Sequence, residues 1–133
     1  LYEAVKYQRR DIIDYLVMKG ADFFIKDFHG GTIIHKAVLE SSVEVLQQIL
    51  AFKKCSVSEP NNDGLTPLQC LLEGKRTWDR AEKIQMLVEA GADINIKDDK
   101  GRIALIYARI GRNDGEKDIT AWLYEIYRKK INN

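Results

Sequence analysis

What this chain has little of narrows its chemistry first. It holds two cysteines and two histidines, and Cys55, Cys70, His29 and His35 fall at no spacing that zinc ligands adopt. Two cysteines provide no CxxC clip and too few thiols for the disulfide framework of a small secreted scaffold. Both are therefore read as free thiols of a reducing, intracellular compartment, with the cytoplasm as the expected location. The absence of any Asn-x-Ser/Thr acceptor agrees with that. Neither sign of charge predominates: 21 Lys and Arg face 20 Asp and Glu, a net charge of +1. That balance supplies no strong basic field for nucleic acid or an anionic membrane. No apolar run approaches the roughly 20 residues that cross a bilayer, and residues 1 to 10 are not a charged segment leading into an apolar signal core. Catalytic signatures are missing too, with no Gly-x-Gly-x-x-Gly, no phosphate loop, no Gly-x-Ser-x-Gly and no nucleophile in a recognisable triad. Asp93, Asn95 and Lys97 alternate as calcium-loop ligands would. However, Asp98 stands where that loop needs its glycine and Ala104 where it needs its glutamate. No catalytic residue, metal or cofactor is expected.

What is present is a repeat. The chain has 133 residues, 45% of them hydrophobic, enough for one domain around one continuous core. Asp27-Phe-His-Gly30-Gly-Thr32-Ile-Ile-His35-Lys-Ala37 aligns with Asn61-Asn-Asp-Gly64-Leu-Thr66-Pro67-Leu68-Gln69-Cys-Leu71 at an offset of 34, and Asp98-Asp-Lys-Gly101 follows 37 further on. Leu1-Tyr2-Glu3-Ala4-Val5 matches Ile34 to Val38 at an offset of 33. Gly20-Ala21-Asp22 recurs as Gly91-Ala92-Asp93. In Thr66-Pro67 the threonine caps a helix start and proline occupies the first helical position, where its missing N–H costs nothing. A second helix in each copy carries apolar residues at helical spacing: Ile12, Ile13, Leu16 and Val17, then Val45, Leu46, Ile49 and Leu50, then Ile84, Leu87 and Val88. All are expected on one buried face. Gly20 and Gly91 end these helices where a left-handed residue is wanted, and Asp27 to Gly30, Asn61 to Gly64 and Asp98 to Gly101 form turn-rich tips.

The sequence resembles the ankyrin repeat, whose pattern runs Asp-x-x-Gly-x-Thr-Pro-Leu-His-x-Ala-Ala, then a second helix, then Gly-Ala-Asp. Several copies in phase near the family's period of 33 cover essentially the whole chain. The resemblance implies an all-α solenoid of stacked helix-turn-helix units joined by β-hairpin-like loops, with repeats at about 1–26, 27–60, 61–97 and 98–133. Three departures carry expectations. Lys53-Lys54-Cys55 replaces Gly-Ala-Asp, so that junction should be less regular and its amides should exchange faster than those of the third copy. In the last copy Ile103-Ala104 replaces Thr-Pro, residues 111 to 115 break the pattern, and a final helix from Asp118 to Lys130 reads as a cap ending in basic residues. The first copy lacks its tip and Leu1 is no initiator methionine, so the natural protein is expected to extend upstream as a longer polypeptide.

Stacked repeats line one concave surface with tips and inner helices that the core does not need. The resemblance therefore implies a monomeric, non-enzymatic module that binds another protein there, without nucleic acid or membrane insertion. Position by position, the candidate contacts are Phe28, His29, Asn62, Asp63, Asp99 and Lys100 at the tips. On the inner helices they are Glu3, Lys6, Lys36, Leu39, Glu40, Glu73 and Tyr107. Phe28 and Leu39 stand out, because the family usually places polar residues there and an exposed apolar side chain anchors partners; the alternative is that each tucks against its neighbour. Trp78, in the insertion of the third copy, is a further candidate whose alternative is to fold back on a helix end. His35 is expected to bridge neighbouring loops rather than to catalyse. The rival reading makes the chain the targeting or regulatory part of a larger enzyme, such as a ubiquitin-ligase subunit or an effector secreted into a host cytosol.

Overall fold

Threonine sets the starts of two inner helices. Thr66 Oγ1 accepts from the Gln69 amide at 3.2 Å while Gln69 Oε1 accepts from the Thr66 amide at 2.8 Å, with Pro67 at the first helical position. Two backbone donors that a helix start leaves orphaned are thus satisfied reciprocally, and α5 (Pro67–Glu73) begins there. Thr32 and His35 build the same reciprocal cap for α3 (Ile33–Glu40). The computed structural model describes residues 1–74, 79–104, 106 and 117–132, and within helix 117–132 the side chains of 121–129. The other helices are α1 (Tyr2–Lys6), α2 (Arg10–Met18), α4 (Val43–Ala51), α6 (Arg80–Glu89) and α7 (Lys117–Asn132). No strand occurs among the described residues.

The short helices α1, α3 and α5 stack in one layer, and each packs against the helix that follows it, α2, α4 or α6. The apolar spacing of the second helices explains the interior. Ile13, Leu46, Ile49, Ile84 and Leu87 are all at most 1% exposed, and Ile33, Ile34 and Leu68 meet them from the inner layer. Each such side chain contributes roughly 1.5–3 kcal/mol on burial. Ala104 and, on α7, Leu123 join the same core, so the last helix covers its end. The final helix runs one residue earlier and two later than the sequence suggests; the pattern break at 111–115 lies outside the described residues. Cys55, half-buried, and Cys70, buried, are both free thiols.

Ile12 departs from expectation. It is 44% exposed rather than part of the buried face, because it lies on the edge of α2 that in later copies packs on the copy before.

The helix ends reveal where the copies differ. Gly20 (φ +85°) and Gly91 (φ +97°) are left-handed. Gly20 donates to Val17 O and Ala21 to Leu16 O, as Gly91 donates to Val88 O and Ala92 to Leu87 O. Each pair is a Schellman motif that satisfies two terminal carbonyls. At the second junction Lys53 adopts the left-handed conformation itself (φ +53°) and donates to Leu50 O. The second bond, from Lys54 to Ile49 O, is not made among the described residues, so this junction is the less regular one.

One buried cation ties copies together. Lys83 is 4% exposed on α6. Its Nζ donates to Val38 O at 3.2 Å and Ser41 O at 2.6 Å, and lies 3.3 Å from Asp79 Oδ2. Three N–H donors meet three acceptors, which is what a buried ammonium requires.

Candidate partner-binding face

Each tip is built by one side chain. Asp27 Oδ1 accepts from the amides of His29 and Gly31, Asn61 Oδ1 from Asp63 and Leu65, and Asp98 Oδ1 from Lys100 and Arg102. A short carboxylate or amide at this position folds the following four residues into a fixed turn, closed by backbone bonds from residues 27, 61 and 98 to residues 31, 65 and 102. The tips also touch in sequence. The Asn62 amide donates to His29 O at 2.9 Å, and an added Cβ at Gly30 would lie 2.2 Å from Asn62 Oδ1, as one at Gly64 would lie 2.4 Å from Asp99 Oδ1. Glycine there permits close approach of neighbouring tips as well as the left-handed backbone.

Three different side chains hold the inner helices to those tips. His35 Nδ1 accepts from the Thr32 amide at 3.0 Å, so its proton resides on Nε2, which donates to Leu65 O at 2.9 Å. Burial is the main cause that lowers the His35 pKa from 6.5, offset in part by the Leu65 carbonyl. The ring is a neutral structural bridge between the start of α3 and the next tip. Gln69, one copy on, donates from Nε2 to Ile96 O at 2.8 Å and Arg102 O at 3.3 Å. Tyr2, one copy back, donates its hydroxyl to the carbonyls of Ile25 and Gly31. Burial, then the charges of Asp27 and Cys55, push its pKa up to about 12. The equivalence of Tyr2, His35 and Gln69 is visible in the alignment of Leu1–Val5 with Ile34–Val38. Residue type alone hides it, because a phenol, an imidazole and an amide look unrelated until their shared acceptor, a carbonyl of the next tip, is seen.

On this frame the candidate contact residues reach solvent. Phe28 is 98% exposed at the first tip and Leu39 is 55% exposed on α3, so neither tucks against its neighbour. His29, Asn62, Asp63, Asp99 and Lys100 are exposed at the tips, and Glu3, Lys6, Glu40 and Glu73 on the inner helices. Lys36 is half-buried and paired with Glu40 at 2.6 Å, one helical turn on, so the pair presents little net charge. The Cys70 thiol is pushed up to about 11 by burial first, then by the negative charges of Glu73 and Asp63. Trp78 and Tyr107 lie outside the described residues. Among the described residues no group of three or more His, Cys, Asp or Glu could hold a metal ion, and no helix is long and apolar enough to cross a membrane.

Comparison with known proteins agrees with this architecture. Residues 1–98 match the family model described as ankyrin repeats, in three copies. The chain is 26% identical over 137 residues to the nuclear factor NF-kappa-B p105 subunit of Gallus gallus, covering 94% of this chain and 14% of that protein. It is 30% identical over 102 residues to the same subunit of Rattus norvegicus, covering 75% of this chain and 10% of that one. It is 31% identical over 117 residues to neurogenic locus notch homolog protein 1 of Mus musculus, covering 85% of this chain and 4% of that protein. The chain thus spans about a seventh or less of the length of these relatives.

Proposed function

From the premise that this chain belongs to the ankyrin-repeat family, whose repeats are protein–protein interaction modules, we propose that it grips a partner protein through the surface formed by its tips and inner helices. The observation that carries this reading is the exposure of Phe28 at 98% and of Leu39 at 55% on that surface. Apolar side chains this exposed add little to the core, and buried apolar anchors dominate interface energetics. Flanking polar residues, Glu40, Asn62, Asp63, Glu73, Asp99 and Lys100, form the rim that gives specificity. Trp78 and Tyr107 belong to the same proposal on sequence grounds. The module works without catalysis or cofactor, as a monomer of four repeats spanning 1–26, 27–60, 61–97 and 98–133, in the cytoplasm. Because the chain spans only a small part of its relatives' length, a larger parent protein whose activity this module targets or regulates is compatible with the same face.

The test is affinity capture with three forms: wild type, a variant combining Phe28→Ala, Leu39→Ala and Glu40→Lys, and a control Met18→Ala, which removes an exposed apolar side chain from α2. Circular dichroism establishes that all three are folded. A protein held by wild type and control and lost by the triple variant supports the reading. The same proteins held by all three would place the contact elsewhere.

A further inference from the structure

The repeat-to-repeat interface inside this chain shows what its unmatched end lacks. On α4, Val45 is fully buried, and on α6 Lys83 at the same position is 4% exposed, its ammonium on Val38 O and Ser41 O of the preceding inner helix. The equivalent residue on α2 is Ile12, 44% exposed. Three residues on, Gln48 of α4 donates to Arg10 O and Asp14 Oδ1 of the preceding outer helix, at 2.8 Å each. Its equivalent is Tyr15, 55% exposed. In the approach to the tip, Glu59 pairs with Lys26 of the preceding copy at 2.6 Å, and its equivalent is Ile25, 58% exposed. At each of the three positions a later copy uses the side chain to reach the copy before, Lys83 at the first and Gln48 and Glu59 at the others, and at all three the first copy carries a large apolar residue facing water.

We propose that Ile12, Tyr15 and Ile25 form a docking surface for one further helical hairpin of the same kind, joined ahead of Leu1 in the same polypeptide. The end of its inner helix would cover Ile12, its outer helix Tyr15 and the loop before its tip Ile25. The occupant is specified by continuity with the two interfaces already present, in which inner helix stacks on inner helix and side chains at these positions reach the preceding copy. A second copy of this chain docking its other end there fits less well, because the exposed side of α7 carries Tyr124, Glu125, Arg128 and Lys129, a mainly charged surface. This surface is separate from the Phe28 and Leu39 face, so either proposal can fail without the other.

The experiment compares the 133-residue chain with the same chain preceded, in repeat register, by a designed consensus ankyrin hairpin. Each is made as wild type and as the double variant Ile12→Lys, Tyr15→Glu. Sedimentation, thermal melting and amide exchange of α2 are measured. Expected results are a monomeric 133-residue chain, a Tm raised by about 5 °C or more on extension, and α2 amides protected on extension. The double variant should remove most of that gain while leaving the Tm of the unextended chain nearly unchanged. Three outcomes overturn the proposal: extension that neither raises Tm nor protects α2, a double variant that loses as much without the hairpin as with it, or a wild-type dimer that the double variant abolishes. The last would make a second copy the occupant.

Discussion

Gly30, Gly64 and Gly101 share a left-handed backbone, with φ of +73, +76 and +76°, yet their surroundings differ. A methyl at Gly101 meets nothing within 4 Å among the described residues, whereas one at Gly30 meets Asn62 Oδ1 at 2.2 Å and the Asn62 backbone nitrogen at 2.9 Å. Gly101→Ala should therefore cost only the left-handed penalty, about 1–2 kcal/mol, and Gly30→Ala clearly more. Equal costs in chemical denaturation would mean that the two tips separate freely. His35 makes a pH prediction with a definite sign. Its folded pKa is lowered below 6.5, so its neutral bridge contributes fully above that value and the contribution is lost as pH falls through the folded pKa beneath it. Tm should decline in that acid window, and His35→Gln should flatten the decline while keeping the fold, since Gln69 performs the same bridge one copy away. A decline of unchanged size in the variant would assign it to other groups.

At the scale of elements, the ends of the helices separate strong copies from weak ones. α2 and α6 stop on glycines that complete two Schellman bonds each, while α4 stops on Lys53 with one. Lys53→Gly should remove the left-handed cost and stabilise the chain by about 1 kcal/mol. Gln8, left-handed at φ +56° after α1, should respond in the same direction. Amides at the end of α4 should exchange faster than those at the end of α6, and Lys53→Gly should reduce the difference. Uniform protection across both helices in the wild type would contradict this account.

At the scale of the molecule, stability passes between neighbours, because each copy packs only on adjacent ones. Lys83 is the coupling most exposed to test. Lys83→Ala withdraws the ammonium from Val38 O, Ser41 O and the buried carboxylate of Asp79 at once. Leaving buried carbonyl acceptors without their donor costs about 1–3 kcal/mol. Beyond a lower Tm, the expected signature is a broader or split melting transition, as α1–α4 lose one of their links to α5–α6. A single sharp transition displaced by less than 1 kcal/mol would show that apolar packing carries the coupling.

The sequence by itself determined the repeat, its helices, their threonine starts and glycine stops, and the tips, because those features rest on local chemistry: a capping oxygen, a fixed proline φ, a residue without Cβ. It singled out Phe28 and Leu39 as apolar residues where the family usually places polar ones, but left open whether they tuck against a neighbour; the structure leaves them 98% and 55% exposed. The tertiary structure decided what depends on neighbours. Periodicity assigned Ile12 to a buried face, but burial needs a surface opposite, and for Ile12, unlike Val45, the described residues provide none. Lys83 has the residue type of a surface position and lies in the core, because three acceptors from two copies converge on it. Tyr2, His35 and Gln69 share one role through the carbonyls they reach, and those carbonyls are brought within reach only when one copy stacks on the next.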